Sequence, residues 1–272
     1  MVNEFFTALR LAVVRPWLVL VGALPFLLTA LLLLLLYDIW FPFFIDLAYS
    51  WSFYNVEFAM IPFRLLSAYP VEVGVFFFLF LLSAFFMIWF YGFYALYTER
   101  AAREQYPFFP ALKDTLARTP GFALLTIFIT LISVVLLTGL WFLLVLALNV
   151  PFVGFPVVVL ALIFGGLAML RFVFVVPEMA LEGQNVRNAL KKSWRASAHH
   201  FYALIGLAVL LMFANFILYV LVYYVMVSDM ADELAVGLAA LLYAFMLALT
   251  SLSFSLFYLH NVKSVELNLK AI

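Results

Sequence analysis

The chain contains no cysteine, which removes disulfides, thiolate metal sites and cysteine nucleophiles from consideration together. Charge is nearly as scarce: Asp, Glu, Lys and Arg make up 10% of its 272 residues, against about a quarter in soluble domains. Histidine is confined to His199, His200 and His260. Two of these are adjacent and so point to different sides of a helix, and no third ligand is evident. There is no His-Glu-x-x-His, no Gly-x-Ser-x-Gly and no glycine-rich loop of the kind that cradles phosphate. The expectation is therefore a protein without cofactor or metal that is not an enzyme and has no nucleic-acid partner.

Apolar residues take up 69% of the chain, and most of them fall in runs long enough to cross a bilayer core, which needs roughly 20 residues. Six such runs occur, at 16–36, 73–97, 121–149, 151–176, 201–228 and 234–259. The first is too long for the apolar part of a signal peptide and is read as a retained helix. In hydrocarbon only a helix or a closed barrel satisfies its own backbone, and the alternation of barrel strands is missing. The fold class that follows is all-α: one polytopic membrane domain over residues 1–272, with six spans arranged as three hairpins.

The formal charge of zero conceals a strong polarity. Segments 1–15, 98–120, 177–200 and 260–272 hold twelve of the fourteen Lys and Arg residues, Arg171 lies close to them, and only Arg64 falls elsewhere. Asp38, Asp46, Glu57, Glu72, Asp229, Asp232 and Glu233 occupy the opposite set of loops. Lysine and arginine are retained in cytoplasmic loops, so both termini are expected inside the cell, in the plasma membrane.

The cations precede spans in a recurring pattern. "ALRLAVVRP" leads into the first span, "ALKDTLARTP" into the third and "ALKKSWRA" into the fifth. Each is an Ala-Leu pair followed by a cation, with a further arginine four or five residues on, and the pattern suggests a short amphipathic cytoplasmic helix before each hairpin. In the third leader Asn185 is a suitable N-cap, and Arg187, Lys191 and Arg195 repeat at four-residue spacing on one face. Val186, Ala189, Leu190 and Trp194 are expected on the other. Arg10, Arg15, Lys113, Arg118, Arg187, Lys191, Lys192 and Arg195 are thus candidates for contact with lipid headgroups or a partner. Each such cation is worth on the order of 1 kcal/mol near an anionic surface.

The run "VVPEMALEGQNVRNALKKSWRASAHHFYAL" resembles the segment after the fourth helix in a group of six-helix membrane proteins. That group includes the membrane domain attached to some glycerophosphodiester phosphodiesterases and related stand-alone bacterial and archaeal proteins. Pro177, Glu182, Gly183, Ala189, Leu190, Lys191, Lys192, Ser193 and Trp194 carry the resemblance. It implies the six-helix membrane fold. The attached catalytic domain has no counterpart here, so it implies no hydrolysis.

Few polar side chains fall within or beside the spans. Arg171, near the end of the fourth span, is expected either to hold a phosphate or carboxylate, or else to snorkel or pair with Glu178 or Glu99. Glu178 and Glu182 are one turn apart and share a face if the helix continues past Pro177. They suit a cation or headgroup amine, or else Glu182 balances the basic helix beside it. Thr250, Ser251, Ser253, Ser255 and Asn215 serve either as interhelical packing or as a polar path. Gly165 and Gly166 point to close helix approach. Segment 37–72, with twelve aromatics, suits the outer interface.

Two functional classes remain. One is a membrane protein that binds or organises lipid, or a membrane partner or second copy, through its basic helices. The other is a transporter, channel or permease subunit moving a small or lipidic solute. A polar cavity lined by the hydroxyls of the last span would favour transport, and a packed interior would favour lipid binding.

Overall fold

The computed structural model describes residues 2–35, 67, 70–101, 107–149, 151–227 and 232–263. The expectations for the aromatic segment 37–72 and for the end of the chain fall almost wholly outside them. The described elements are all helical: α1 (Val2–Val14), α2 (Pro16–Leu35), α3 (Pro70–Ala101), α4 (Phe108–Ala117), α5 (Thr119–Asn149), α6 (Pro151–Leu170), α7 (Val175–Glu182), α8 (Val186–His199), α9 (Phe201–Val227) and α10 (Asp232–Phe257). A π-helical turn, Tyr258–Val262, ends the series.

Proline marks many of the boundaries. Pro16, Pro70 and Pro151 each occupy the first position of a helix, where the missing N–H would have had no partner in any case. Proline also disfavours helical geometry in the residue before it. At Arg15 the chain accordingly turns by 82° between α1 and α2.

Among the described residues, five helices are long and apolar enough to cross a membrane, or six if the bent pair α1 and α2 counts as one span. The protein is therefore an integral, multi-pass membrane protein. Its apolar side chains confirm the environment: Phe152 is 96% and Phe164 65% exposed on α6, which no solvated surface sustains along a whole helix. Gly165 and Gly166 depart from expectation, since nothing among the described residues lies within 4 Å of a Cβ built at either.

The fourth apolar run falls in a single candidate span, Phe155–Glu182, whose helical bonding is interrupted near its end. At its end, Phe172 and Val173 bond back only three residues, to Met169 and Leu170 (3.0 and 3.4 Å), and a turn at 171–174 separates α6 from α7. The chain could stay helical there, but a serine from α8 takes one of the freed backbone groups, as described below.

The helices divide into two compact units. One holds residues 29–84 and 126–168, which include most of α5 and of α6. The other holds residues 1–28, 85–125 and 169–272, and contains every residue considered below. In this second unit, α1 packs on α10, α9 packs on α10, and α8 packs on α7. Tyr94, Tyr97, Phe93, Phe122, Phe174, Phe257 and Tyr258 form its buried aromatic centre. Lipid tails are as apolar as leucine, so such a unit is held by close packing and internal hydrogen bonds more than by water exclusion. The Tyr94 hydroxyl donates to the Leu18 carbonyl (2.9 Å) and Trp89 to Thr119 (3.0 Å). Asn215 on α9 donates to Thr250 on α10 at 3.2 Å. A Cβ on Gly92 would lie 2.5 Å from the Phe122 ring, so the contact between α3 and α5 requires glycine there.

Candidate functional site

The three leader segments take up one packing scheme in the second unit. Ala8 on α1, Ala111 on α4 and Ala189 on α8 are fully buried, while Leu9, Leu112 and Leu190 pack half-buried against the core. The cations that follow, Arg10, Lys113 and Lys191, are exposed. Small or hydroxyl residues continue each buried stripe at four-residue spacing: Ala12, Thr115, and Ser193 with Ser197. Short side chains at this spacing let a helix lie close against its neighbour.

On α8 the Asn185 side chain accepts the Asn188 N–H at 3.0 Å, the N-cap its sequence suggests. The buried face holds Val186, Ala189 and Leu190 as expected and differs at one position. Trp194 is half exposed, and Ser193 takes the inward position. Its hydroxyl donates to the Arg171 carbonyl (2.8 Å) and accepts the Phe174 N–H (3.2 Å), while Ser197 reaches the same carbonyl at 3.2 Å. A hydroxyl is buried here because the turn at 171–174 leaves both a carbonyl and an N–H, and a tryptophan, which only donates, cannot satisfy the N–H.

The preceding helix is finished with equal care. Pro177 lies in the first turn of α7, where it is tolerated, so Glu178 and Glu182 do lie on one helix. Gly183 closes that helix at φ 64°, a left-handed conformation suited to glycine. The Met179 carbonyl accepts both the Gly183 N–H (3.2 Å) and the Arg118 guanidinium (2.7 Å). Glu182 takes Lys192 at 2.9 Å and Lys263 at 3.3 Å, which joins α7, α8 and the end of the π-helical turn. Glu178 is buried beside Tyr258, whose hydroxyl it accepts, and its second carboxyl oxygen has no partner among the described residues.

The π-helical turn has a visible consequence. Its Lys263 N–H bonds back five residues to Tyr258 (3.0 Å), and the wider turn presents His260 and Asn261 to α1. There the buried Glu4 carboxylate lies 2.9 Å from His260 Nδ1 and accepts Asn261 at 3.1 Å. Burial by itself would raise the Glu4 carboxyl. The hydrogen bonds it accepts, those from His260 and Asn261 among them, outweigh burial and hold it down to about 2.

The candidate cations thus fall into two sets. Arg15 donates to the Tyr97 hydroxyl, Arg118 to Met179, and Lys192 to Glu182. Arg10, Lys113, Arg187, Lys191 and Arg195 are exposed and have no hydrogen-bond or ion-pair partner among the described residues. Arg171 belongs to neither set. It pairs with neither Glu178 nor Glu99; its guanidinium lies 4.2 Å from the centre of the Phe201 ring and 5.4 Å from that of Trp194. The structure adds Ser193, Ser197, Tyr258, Asn261 and Glu4 to the sequence-derived residues. Ser193 and Ser197 had a signal, their spacing from Ala189. The pairing of Glu4 with His260 had none, because 256 residues separate them.

The serines of the last span are buried in packing, and the Ser253 hydroxyl has no hydrogen-bond partner among the described residues. Ser251, Ser253 and Ser255 are buried, and Ser255 donates to the Ser251 carbonyl at 2.7 Å. Thr250 reaches an open groove of about 330 Å³ that is otherwise lined by Phe26, Met87, Tyr243, Met246 and Leu247.

No curated protein and no solved structure matches the chain. Residues 144–270 match a protein family, the membrane domain of glycerophosphoryl diester phosphodiesterase. The matched stretch contains the whole assembly of α7, α8 and the π-helical turn, so most of the motif residues from Pro177 to Trp194 now have a packing role. Over residues 144–270, this multi-pass membrane protein is similar to the membrane domain of glycerophosphoryl diester phosphodiesterases.

Proposed function

We propose that the protein is a non-enzymatic membrane component that binds and organises anionic phospholipid through α1, α4 and α8. These act as amphipathic helices on the cytoplasmic surface, each ahead of a two-helix hairpin, with both chain termini inside. The observation that carries this reading is the division of the cations. Arg15, Arg118 and Lys192 are used within the fold, whereas Arg10, Lys113, Arg187, Lys191 and Arg195 lie on exposed faces without a partner among the described residues. Each of these cations shares its helix with exposed apolar side chains: Phe6 with Arg10, Phe109 with Lys113, and Trp194 with Arg187, Lys191 and Arg195. A face of this composition suits the boundary between acyl chains and headgroups. Transport is the weaker reading, because the hydroxyls of the last span are packed and the groove beside Thr250 is almost entirely apolar.

The test compares spin-labelled phosphatidylglycerol with phosphatidylcholine at the surface of the full chain in mixed vesicles. The wild type should prefer the anionic lipid, and salt should weaken the preference because exposed charges are screened. Replacing the five free cations with Gln should bring the ratio close to one. An unchanged ratio would refute the role of the helices. Since the chain lacks cysteine, a single Lys191→Cys variant tests orientation, and labelling by an impermeant maleimide from outside intact cells would refute the topology.

A further inference from the structure

We infer that Arg171 is the anchor of a discrete phosphate-binding site at the mouth of the second unit, taking the phosphate of a phospholipid headgroup or of a soluble phosphate compound. The inference rests on the lipid-binding reading for the location of this end of the protein, but on different residues. Arg171 begins the turn between α6 and α7, and the Phe201 it lies against opens α9, the next apolar span. Lys191 and Arg195 are one to three turns earlier on α8. Arg171 therefore stands where the hydrocarbon gives way to headgroups.

The site is built rather than incidental. Two hydroxyls, from Ser193 and Ser197, hold the Arg171 carbonyl, and the Phe201 and Trp194 rings hold its guanidinium. Phe172 packs against Trp194 with ring centres 5.5 Å apart, which steadies that wall. Aromatic contact engages the face of a guanidinium and leaves its N–H edge available. Arg15, Arg100 and Arg118 each donate to a protein oxygen. No N–H of the Arg171 side chain has a protein acceptor among the described residues. A positioned planar fork with free donors matches the two oxygens of a phosphate, to which arginine binds in bidentate fashion. Lysine cannot reproduce this, because its ammonium is a point charge without a planar edge.

Solid-state NMR of the full chain with 15N-labelled arginine tests the assignment. The rings beside Arg171 shift its guanidinium signal, as the more distant Tyr97 ring acts on that of Arg15, and Arg171→Lys identifies the Arg171 signal by removing it. In vesicles of phosphatidylcholine and phosphatidylglycerol, 31P should attenuate the shifted signal if the phosphate comes from lipid. In vesicles of a phosphorus-free galactolipid, added glycerol phosphate should attenuate it if the source is soluble. Attenuation in either arm supports the site and identifies the source, and its absence in both overturns it. Should Arg171→Lys fail to fold, the wild-type signal is identified by its movement in a Phe201→Leu variant. The Arg187→Gln, Lys191→Gln, Arg195→Gln triple variant separates the two proposals. Loss of lipid preference with the Arg171 attenuation intact is expected, and loss of that attenuation in the triple variant would overturn the site as a distinct one.

Discussion

Replacing Ser193 with alanine tests how the turn at 171–174 is held. Ser193 is fully buried, and its hydroxyl is the partner of the Phe174 N–H and the nearer donor to the Arg171 carbonyl. Alanine leaves the N–H buried and unpaired, at a cost of about 1 to 3 kcal/mol. The carbonyl fares better, because Ser197 still reaches it at 3.2 Å. The Ser197 proton is contested, since its hydroxyl also lies 3.1 Å from the Trp194 carbonyl. Ser197→Ala removes only this second donor and should cost under about 1 kcal/mol, within the usual worth of one net hydrogen bond. The double variant orphans the carbonyl as well, so its cost should exceed the sum of the single costs by about 1 kcal/mol. Reversible unfolding by SDS titration in mixed micelles measures all three differences. Ser193→Ala within about 0.5 kcal/mol of wild type, the range of a neutral surface change, would refute the account. So would a double variant that is simply additive.

Three further predictions use the same unfolding assay. Gly183→Val places a β-branched residue at φ 64° and should cost about 1 to 3 kcal/mol, while Gly183→Asn, which tolerates that conformation, should cost much less. Gly92→Ala brings a Cβ to 2.5 Å from Phe122 and should cost about 1 to 3 kcal/mol from overpacking, with partial rescue by Phe122→Leu. Glu4 is held at about 2 in the folded protein against an ordinary 4.5. Its contribution is therefore present in full above pH 4.5 and is lost as the pH falls toward 2. Glu4→Gln should flatten stability across that window, and an unchanged pH profile in the variant would show that the hydrogen-bonded Glu4 carboxylate contributes nothing.

Much of the candidate site was legible in its parts but not in its pairings. Asn185 was recognisable as a cap because capping depends on four consecutive residues, 185–188, and Gly183 stood out beside Glu182 as part of the motif. On the inward face of α8, Val186, Ala189 and Leu190 follow the sequence pattern and only Trp194 departs from it. Apolarity would place Trp194 inside and Ser193 outside, whereas the unsatisfied backbone of the neighbouring turn selects the serine. The break after Leu170 was hidden for the same reason, since nothing local in residues 151–176 ends the helix there. The division of cations was likewise invisible, because Lys191 and Lys192 are identical residues and only Glu182 on another helix distinguishes them.

By itself the sequence determined the multi-pass helical class, and many of the helix starts. Long apolar runs must satisfy their own backbone in lipid, and proline and asparagine act on the residues next to them. Both effects are local. The tertiary structure alone decided which cations keep their donors free among the described residues, which serine is buried and which glutamate is clamped to a residue 256 positions away. Those outcomes depend on groups that meet only after folding, and a buried polar atom is satisfied by whichever partner the packing brings within reach.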